Sequence, residues 1–358
     1  MECVYRGKKI SGILGILPEE TSNFEDELDN YSFPHKQSLR LKKLMGYDKH
    51  RLAKAKSKAS DFCVYGLKYL LSEGKISKEE IGAIIVVGLS PDYFVPHISN
   101  IIHGECHLNE GVFCVDISQG CAGYLLGLMQ SFMLSDFMKD KKILLFNTDV
   151  LSHKVSKYDR NSFPLIGDAT SITVIEHDAG AADSFFRLYV DGEKRNALMI
   201  PAGGFAMPAT EETAKMVEAE DGNSRSLNDL CMEGTKIFDF VLTKLPPLIN
   251  GTLRKLNLQE EDIDYYLFHQ PNKFMLQKLA DAIGKGISSE KLFMNVVENY
   301  GNSSGTSIPI NIIHNLSDKL VGNEYKCCLS AFGSGLTYGA GIMQLGNLDF
   351  CQMITSDL

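Results

Sequence analysis

The stretch DISQGCAGY, residues 116–124, places Cys121 between two apolar segments of different type. Residues 111–115 (GVFCV) are short and apolar, which predicts a buried strand. Residues 122–136 carry leucine, methionine and phenylalanine without proline, which predicts a buried helix. Cys121 therefore lies where a strand turns into a helix, and the free N–H groups and the positive helix end favour a thiolate there.

Packing is the ordinary alternative for a cysteine in this chain, which has nine. A free cysteine usually behaves as a small hydrophobic side chain, and the adjacent Cys327 and Cys328 are interpreted in that way. The strand-to-helix position distinguishes Cys121 from the others. A nucleophilic thiol also needs a base and a group that orients it, and both residue types occur downstream.

Three downstream segments supply candidate partners for Cys121. The segment DYYLFHQPN (264–272) is an apolar strand that ends at His269. Ligands bind at the carboxyl edge of strands in α/β proteins, although a histidine that only ends a strand fits the pattern equally well. The segment ENYGNSSGTS (298–307) alone predicts an ordinary turn. The segment SAFGSGLTYG (330–339) is either a plain β-bend or a glycine-rich bend that brings backbone N–H groups to a ligand.

Together, in this order and spacing, the four segments resemble those of the type III ketoacyl-acyl-carrier-protein synthases of the thiolase-fold superfamily. The resemblance covers nearly the whole chain, with weaker matches at residues 81–87, 147–151, 158–160, 166–169 and 232–238. It implies an α/β protein with the thiolase-like five-layer αβαβα fold of two pseudo-repeated halves. Residues 1–178 are expected to form the N-terminal half, with Cys121. Residues 179–358 are expected to form the C-terminal half, with His269 and Asn302.

The resemblance implies that Cys121 is the acylated nucleophile of a triad with His269 and Asn302. The implied activity is that of an acyltransferase that joins the acyl group on Cys121 to a malonyl-type thioester by decarboxylative Claisen condensation. The enolate left by loss of carbon dioxide needs neutral donors, which a neutral imidazole and an amide supply. Backbone N–H groups of Cys121 and Ser334 would hold the thioester oxyanion. Asparagine as the third partner points to the initiating branch of the superfamily.

The same resemblance implies substrates and partners. Acyl-CoA would be the donor and malonyl-acyl-carrier protein or malonyl-CoA the acceptor, with no permanently bound cofactor and no metal. The residues expected to bind substrate are Arg160, Asn272, Phe238, Val95 and Arg40. Those expected to dock a carrier protein are Lys273 and Lys278, with Lys285 as a third cation. A homodimer is expected, in which residues 90–96 reach the partner's acyl pocket and Val95 limits the length of the acyl chain.

The chain departs from the resembled family where the donor is recognised. It has no tryptophan, whereas the family clamps the adenine of coenzyme A with a tryptophan and an arginine near the N-terminus. At the equivalent positions only Arg40 could stack on a purine, and Leu44 replaces the arginine. Phe274 replaces a further family arginine, and Ser334 replaces the middle glycine of the oxyanion bend. These changes affect donor recognition more than chemistry, so a pathway-specific synthase fits as well as the initiator of fatty-acid synthesis.

Composition argues against several other classes of protein. A net charge of −9 argues against a nucleic-acid partner. No apolar run reaches about 18 residues, so no membrane span is expected. The N-terminal residues lack the apolar core of a signal peptide. Nine cysteines without paired metal spacing suggest a reduced, cytoplasmic protein.

Three other functions stay open at this point. An acyltransferase of the same fold could pass the acyl group from Cys121 to an oxygen or nitrogen nucleophile without decarboxylation. Release of carbon dioxide from a malonyl thioester separates this enzyme from a condensing one. A papain-like cysteine hydrolase has the same order of Cys, His and Asn, but its tryptophan-bearing cysteine motif is missing. A catalytically silent, dimer-forming homologue is compatible with the altered donor clamp.

Alternating strands and helices are predicted along the chain, which is typical of an α/β protein. The predicted strands are residues 83–89, 112–117, 143–149, 171–175, 265–269, 327–332 and 340–344, with a strand-like run at 293–297. The predicted helices are residues 57–73, 123–136, 228–256 and 273–284. Residues 19–58 are expected to form an irregular surface excursion, residues 178–183 to join the halves, and residues 203–228 to form a solvated, mobile loop.

Overall fold

Two mixed β-sheets form the framework of the computed structural model, which describes residues 1–284 and 287–358. The strands are β1 (Glu2–Tyr5), β2 (Lys8–Pro18), β3 (Thr21–Asn23), β4 (Lys49–Arg51), β5 (Ile81–Gly88), β6 (Phe113–Ser118), β7 (Lys142–Asp149), β8 (Ala169–His177), β9 (Ser184–Val190), β10 (Leu198–Met199), β11 (Val217–Glu218), β12 (Ser224–Arg225), β13 (Cys231–Met232), β14 (Tyr265–Phe268), β15 (Glu324–Gly333), β16 (Thr337–Gly346) and β17 (Phe350–Ser356). The α-helices are α1 (His35–Met45), α2 (Ala59–Ser72), α3 (Ile98–Glu105), α4 (Gly123–Leu134), α5 (Gly234–Lys255), α6 (Lys273–Ile283), α7 (Val296–Tyr300) and α8 (Ser307–Leu320).

The two large sheets differ in size and strand order. The first has six strands in the order β17-β2-β8-β7-β5-β6, and the second has five in the order β1-β9-β16-β15-β14. In the first sheet β5 runs parallel to β6 and β7, and β7 runs antiparallel to β8. In the second, β14 runs parallel to β15, which is antiparallel to β16. Short two-stranded ribbons pair β3 with β4, β10 with β13 and β11 with β12.

Helices cover both faces of both sheets and produce five layers. Helices α2 and α3 pack on the outer face of the six-stranded sheet, and α5 packs with α6 on the outer face of the five-stranded sheet. Helices α4 and α8 each contact strands of both sheets and form the middle layer. The sequence of layers is therefore helix, sheet, helix, sheet, helix. This arrangement confirms the αβαβα fold predicted from the sequence.

The middle layer explains why two segments are apolar throughout. Helix α4 lies between two sheets, so it is buried on nearly every side, and Tyr124, Leu125 and Leu128 are fully inaccessible to solvent. A helix that is apolar all round is stable only in such a position. Strand β5 is likewise buried from Ile81 to Val87, because helices lie on both faces of its sheet. The apolar segments on either side of Cys121 are thus fixed by the core.

The first and last strands of the chain each lie in the sheet formed mainly by the other half of the sequence. Strand β1 pairs with β9 in the five-stranded sheet, and β17 pairs with β2 in the six-stranded sheet. Residues 178–183 connect β8 to β9 and so link the two sheets. The division into halves at residues 178 and 179 stays a prediction. The edge strand β1 of the five-stranded sheet comes from before residue 178, and the edge strand β17 of the six-stranded sheet comes from after it.

Most predicted elements agree with the structure to within a few residues, and three do not. Residues 293–297 were predicted to be strand-like, but Val296–Tyr300 forms α7. Residues 19–58 contain α1 and the paired strands β3 and β4, so the expectation of an irregular excursion was wrong. The helix predicted over residues 228–256 begins at Gly234, because Cys231–Met232 forms a strand paired with Leu198–Met199.

Besides α1 and α7, helices α3 and α8 were not predicted as helices. Helix α8 begins within a segment interpreted as a turn, and it carries Pro309. That proline lies in the first turn, where its missing N–H breaks no helical hydrogen bond. Residues 203–228 are mostly exposed, as expected, and include the short ribbon of β11 and β12. None of the helices in the described ranges is both long and apolar enough to cross a membrane.

We predict that Gly12→Ala lowers stability through the pairing of β2 with β17. A Cβ atom at Gly12 would lie 2.3 Å from Cε1 of Phe350, the residue opposite it in the sheet. Overpacking of this kind costs about 1–3 kcal/mol of unfolding free energy. Denaturant unfolding should show this loss in wild type and a smaller one in a Phe350→Leu background. Gly104→Ala is the control, because Gly104 lies in a helix with nothing within 4 Å of its added Cβ. An equal loss in both backgrounds would contradict the proposed clash.

Candidate active site

Cys121 lies between the end of β6 and the start of α4, as predicted. The N–H of Gly123 donates to the carbonyl of Gly120 at 2.6 Å and closes a tight turn around the cysteine. The bend after β15 packs directly on it. A Cβ atom at Gly333 would lie 2.8 Å from Cys121 Cβ and 3.1 Å from Cys121 N. Only glycine therefore allows the bend to approach the nucleophile and its backbone N–H this closely.

The thiol of Cys121 is half-buried in the wall of a cavity. Its Sγ lies 4.0 Å from Oγ of Ser304, and burial raises the pKa of the thiol to about 12. The contact with Ser304 lowers this pKa only in part. The expectation of a lowered pKa at the helix end was wrong for this structure, because desolvation of the thiolate outweighs the hydrogen bonds that favour it. The neutral thiol is the resting form.

His269 follows β14 directly and is buried at the same place. Its backbone N–H donates to the carbonyl of Ser330 at 2.8 Å, and its Nδ1 lies 2.7 Å from Oγ of Ser307. Burial lowers the pKa of the imidazole to about 3, and a hydrogen bond with the backbone of Ser304 opposes this shift only in part. The imidazole is therefore neutral throughout the physiological range, as expected from the sequence.

The position of Asn302 is fixed by backbone contacts from the other half of the chain. Its N–H donates to the carbonyl of Leu165 at 2.6 Å, and its carbonyl accepts from the N–H of Gly167 at 3.2 Å. Its side-chain Oδ1 accepts from the N–H of Ser304 at 2.9 Å. The amide NH₂ group is then the part of the side chain left to donate to a ligand.

A cavity of about 1530 Å³ joins these three side chains. Six of the predicted site residues line it, namely Cys121, His269, Asn302, Ser334, Asn272 and Phe238. The carbonyl of Ser334 accepts from Nε2 of Gln119 at 3.1 Å, which holds the oxyanion bend in place. Asn272 also has a structural role, because its Oδ1 caps α6 by accepting from the N–H of Met275 at 2.8 Å.

Three residues predicted to bind substrate do not line this cavity, namely Arg160, Arg40 and Val95. Arg160 is buried, and its guanidinium carbon lies 3.4 Å from the centre of the Phe33 ring. One face of the guanidinium is therefore already covered by an aromatic ring of the same chain. Arg40 is exposed on α1. Val95 lies on a surface loop with 77% of its area exposed.

The residues expected to dock a carrier protein lie on α6, beside the cavity. Lys273 and Lys278 are both exposed. Nζ of Lys273 lies 3.7 Å from a carboxylate oxygen of Glu298, and Nζ of Lys278 lies 5.8 Å from the centre of the Phe274 ring. Lys285 lies outside the described residues. Helix α6 thus presents two cations at the surface near the cavity.

Sequence reasoning missed most of the apolar wall of the cavity. Its members are drawn from connecting segments and short strands, and include Leu151, Leu165, Ile166, Leu198, Ile200, Leu230 and Met232. None belongs to a run with a clear period, and although Leu151, Ile166 and Met232 lie in stretches that match the family, nothing in those stretches indicated a cavity wall. Phe274, which replaces a family arginine, also lines the cavity and stacks on Phe238 with 5.6 Å between ring centres. The wall suits an apolar chain better than a charged group.

Comparison with known proteins gives one consistent result. Residues 115–192 match the family model described as 3-oxoacyl-[acyl-carrier-protein (ACP)] synthase III, and residues 253–345 match its C-terminal model. A Campylobacter jejuni protein provisionally named 3-oxoacyl-[acyl-carrier-protein] synthase 3 is 31% identical over 95% of this chain and 94% of its own. A Lactococcus lactis β-ketoacyl-[acyl-carrier-protein] synthase III is 30% identical over 83% of this chain and 88% of its own. The crystal structure of a Burkholderia xenovorans 3-oxoacyl-(acyl-carrier protein) synthase superposes with a TM-score of 0.90, at 28% identity and 99% coverage of both chains.

We predict that alkylation of Cys121 by iodoacetamide is slow at neutral pH and accelerates steadily above it. Because burial holds the thiol pKa near 12, the thiolate fraction at pH 7 should be about 1,000-fold below that of free cysteine. The rate, followed by peptide mapping, should rise about tenfold per pH unit between pH 7 and 9. Free cysteine is the reference, because its alkylation rate levels off once the pH passes its ordinary pKa. A plateau for Cys121 near neutral pH would instead mean that the resting form is a thiolate.

Proposed function

This chain belongs to the 3-oxoacyl-[acyl-carrier-protein] synthase III family, and we propose that Cys121, His269 and Asn302 perform its chemistry. The protein is an acyltransferase that forms a carbon–carbon bond by decarboxylative Claisen condensation. The observation that carries the assignment of residues is their meeting in one cavity, from three distant parts of the chain. Transfer of the acyl group to an oxygen or nitrogen nucleophile is not favoured.

In the first step the sulfur of Cys121 attacks the carbonyl carbon of an acyl thioester. The developing oxyanion accepts hydrogen bonds from the backbone N–H groups of Cys121 and Ser334. The close packing of Gly333 on the N–H of Cys121 supports this role, since it brings the two backbones together. A donor of this kind typically contributes about 100- to 1,000-fold to the rate.

In the second step a malonyl thioester enters the same cavity and loses carbon dioxide. The enolate oxygen accepts hydrogen bonds from the neutral imidazole of His269 and the NH₂ group of Asn302. Neutral donors suit this step, because a protonated imidazole could quench the carbanion by giving it a proton. The low pKa of His269, near 3, keeps that proton away. The enolate carbon then attacks the acyl group on Cys121 and releases the thiol.

The apolar wall of the cavity supports an apolar acyl chain carried on a thioester. We propose acyl-CoA as the acyl donor and malonyl-acyl-carrier protein or malonyl-CoA as the acceptor, with no permanently bound cofactor. Lys273 and Lys278 are exposed beside the cavity and could pair with an acidic carrier protein. All nine cysteines are free thiols, which fits a reducing compartment, and we propose the cytoplasm.

We also propose that two copies of the chain form a dimer through the loop that contains residues 90–96. This loop exposes Tyr93, Phe94 and Val95, and the Phe94 ring lies 5.2 Å from that of the equally exposed Phe205. Apolar side chains clustered at the surface mark an interaction site. Leu89 lines the cavity, whereas Val95, which follows in the same loop, does not. We therefore propose that the loop acts on the pocket of the partner.

We predict that the two steps respond differently to substitution of the three residues. Cys121→Ser should abolish acyl loading, measured by intact mass after incubation with an acyl-CoA. His269→Ala and Asn302→Ala should load within a few-fold of wild type but lose condensation by about 100-fold or more, because they stabilise only the enolate. Condensation is followed by carbon dioxide release from malonyl thioester.

Cys231→Ser is the matched control, because Cys231 lines the same cavity. It should load and condense as wild type does. Loading of the Cys121→Ser variant, or an adduct mapped to Cys231, would refute Cys121 as the nucleophile. Equal loss of loading and condensation in His269→Ala would mean that His269 serves mainly as a base for the thiol.

We predict that Val95→Phe shortens the preferred acyl chain. The added ring would occupy space in the pocket of the partner, while the exposure of Val95 in the single chain leaves the stability of the fold unchanged. The measurement is loading with acyl-CoAs of two to twelve carbons, and Val95→Ala is the control. An unchanged chain-length profile would show that Val95 does not reach a pocket, and a monomer in sedimentation analysis would remove the dimer.

A further inference from the structure

A buried pair of ionisable side chains lies behind residues 165–167, which pair with Asn302. Glu27 belongs to the helical turn Phe24–Asn30 and His50 to β4, and only 3% and 1% of their areas are exposed. Nε2 of His50 lies 2.6 Å from Oε1 of Glu27. Neither side chain lines the cavity. Apolar side chains of equal volume often stabilise a fold as well as a buried ion pair does, so stability alone does not account for this pair.

The carboxylate of Glu27 is held in place by further hydrogen bonds. Its Oε2 accepts from the hydroxyl of Tyr31 at 2.8 Å, and its Oε1 accepts from the hydroxyl of Ser22 as well as facing His50. The imidazole packs at right angles against the ring of Phe163, with 5.4 Å between the ring centres. Both oxygens of the carboxylate are therefore engaged, and the imidazole is held in one orientation.

The other ring nitrogen of His50 reaches the backbone beside the active site. Nδ1 contacts the carbonyl oxygen of Ile166. A carbonyl oxygen only accepts hydrogen bonds, so Nδ1 carries a proton and donates to that oxygen. Ile166 lines the cavity and forms a parallel β-bridge with Asn302. The imidazole thus links the buried carboxylate of Glu27 to the segment that holds Asn302.

His50 also packs on the residue directly before Asn302. A Cβ atom at Gly301 would lie 2.8 Å from Cβ of His50 and 2.7 Å from the backbone N of Gly167. The N–H of Asn302 donates to the carbonyl of Leu165, and its carbonyl accepts from the N–H of Gly167. His50 therefore contacts both segments whose backbones fix Asn302, and a shift of the imidazole would move that side chain.

We propose that Glu27 and His50 position Asn302 for the condensation step. Glu27 fixes the imidazole, and the imidazole fixes the carbonyl of Ile166, whose chain neighbours bind the backbone of Asn302. The proposal rests on the proposed function, in which the amide of Asn302 donates to the enolate oxygen. Because neither Glu27 nor His50 lines the cavity, both are positioning residues. Acyl loading does not use the amide of Asn302, so it should not depend on the pair.

The test replaces His50 by two amides, each of which reproduces one of its ring nitrogens. The side-chain nitrogen of asparagine lies as many bonds from Cα as Nδ1 does, and that of glutamine as many as Nε2. His50→Asn should therefore keep the hydrogen bond to Ile166, whereas His50→Gln should keep only the contact with Glu27. We expect His50→Asn to condense within a few-fold of wild type and His50→Gln to condense at least about 10-fold more slowly. Both should load an acyl-CoA at the wild-type rate, as followed by intact mass, while carbon dioxide release reports condensation.

Substitution of Glu27 repeats the test from the other end of the pair. The NH₂ group of Glu27→Gln can donate to Nε2 of His50 and leave the proton on Nδ1, so this variant should condense within a few-fold of wild type. Glu27→Leu is similar in volume and leaves no buried charge, but it cannot orient the imidazole. It should slow condensation as His50→Gln does, with loading unchanged, and it keeps the proposal testable if His50→Gln does not fold.

A double-mutant cycle separates positioning from a general effect on the fold. In an Asn302→Ala background His50→Gln should cause no further loss of condensation, because the amide that it displaces is already gone. Lys8→Met is the matched control for loss of a buried ion pair, since the buried Lys8 pairs with Asp136 and neither residue lines the cavity. It should lower the melting temperature and leave the rates of loading and condensation unchanged.

Three outcomes would overturn the positioning role. They are equal condensation rates for His50→Asn and His50→Gln, an equal fall of loading and condensation in His50→Gln, and a full additional loss of condensation in the Asn302→Ala background. In each case the Asn302→Ala variant would still lose condensation while it loads normally, so the proposed function would survive. Normal condensation by Asn302→Ala would instead refute the role of Asn302 in the proposed function, and the positioning role with it.

Discussion

The packing of Gly333 against Cys121 is the contact on which the site depends. Cys121 follows a strand of the six-stranded sheet, and Gly333 ends a strand of the five-stranded sheet, so the contact joins the two sheets at the nucleophile. A side chain at Gly333 would push the bend away from the N–H of Cys121. The five-layer fold is what brings these strand ends together, since helices α4 and α8 hold the sheets on either side of one middle layer.

Burial shifts the pKa of three titratable groups in this region, Cys121, Asp149 and His269. It raises the pKa of Cys121 and of Asp149 and lowers that of His269. All three shifts favour the neutral form, as desolvation does for acids and bases alike. A site of neutral donors suits an enolate that must not be protonated, but it makes the thiol a poor nucleophile at rest.

The elements around Cys121 and His269 could be predicted from the sequence because their signals are local, whereas the five-layer fold and the place of Asn302 in the site were predicted from the family resemblance. The strand and helix around Cys121 show in the apolar runs on both sides, and His269 directly follows an apolar strand. Helix α8 was missed because its start, in the segment of Asn302, carries serine and glycine typical of a turn. The high pKa of Cys121 was missed for a different reason, since desolvation depends on residues from both sheets that no local pattern reveals.

The residues that recognise the acyl donor were harder to predict from the sequence than the catalytic residues. The guanidinium of Arg160 was expected to meet substrate, yet it stacks on Phe33, more than a hundred residues away in the chain. A substrate group that uses this face of Arg160 must first displace the Phe33 ring. The catalytic residues are held by backbone contacts, such as those of Asn302 with Leu165 and Gly167, and these tolerate changes of side chain. The guanidinium of Arg160 is held by side chains, through the Phe33 ring and the hydroxyl of Ser38, so the ligand that it binds can change while the reaction centre stays the same.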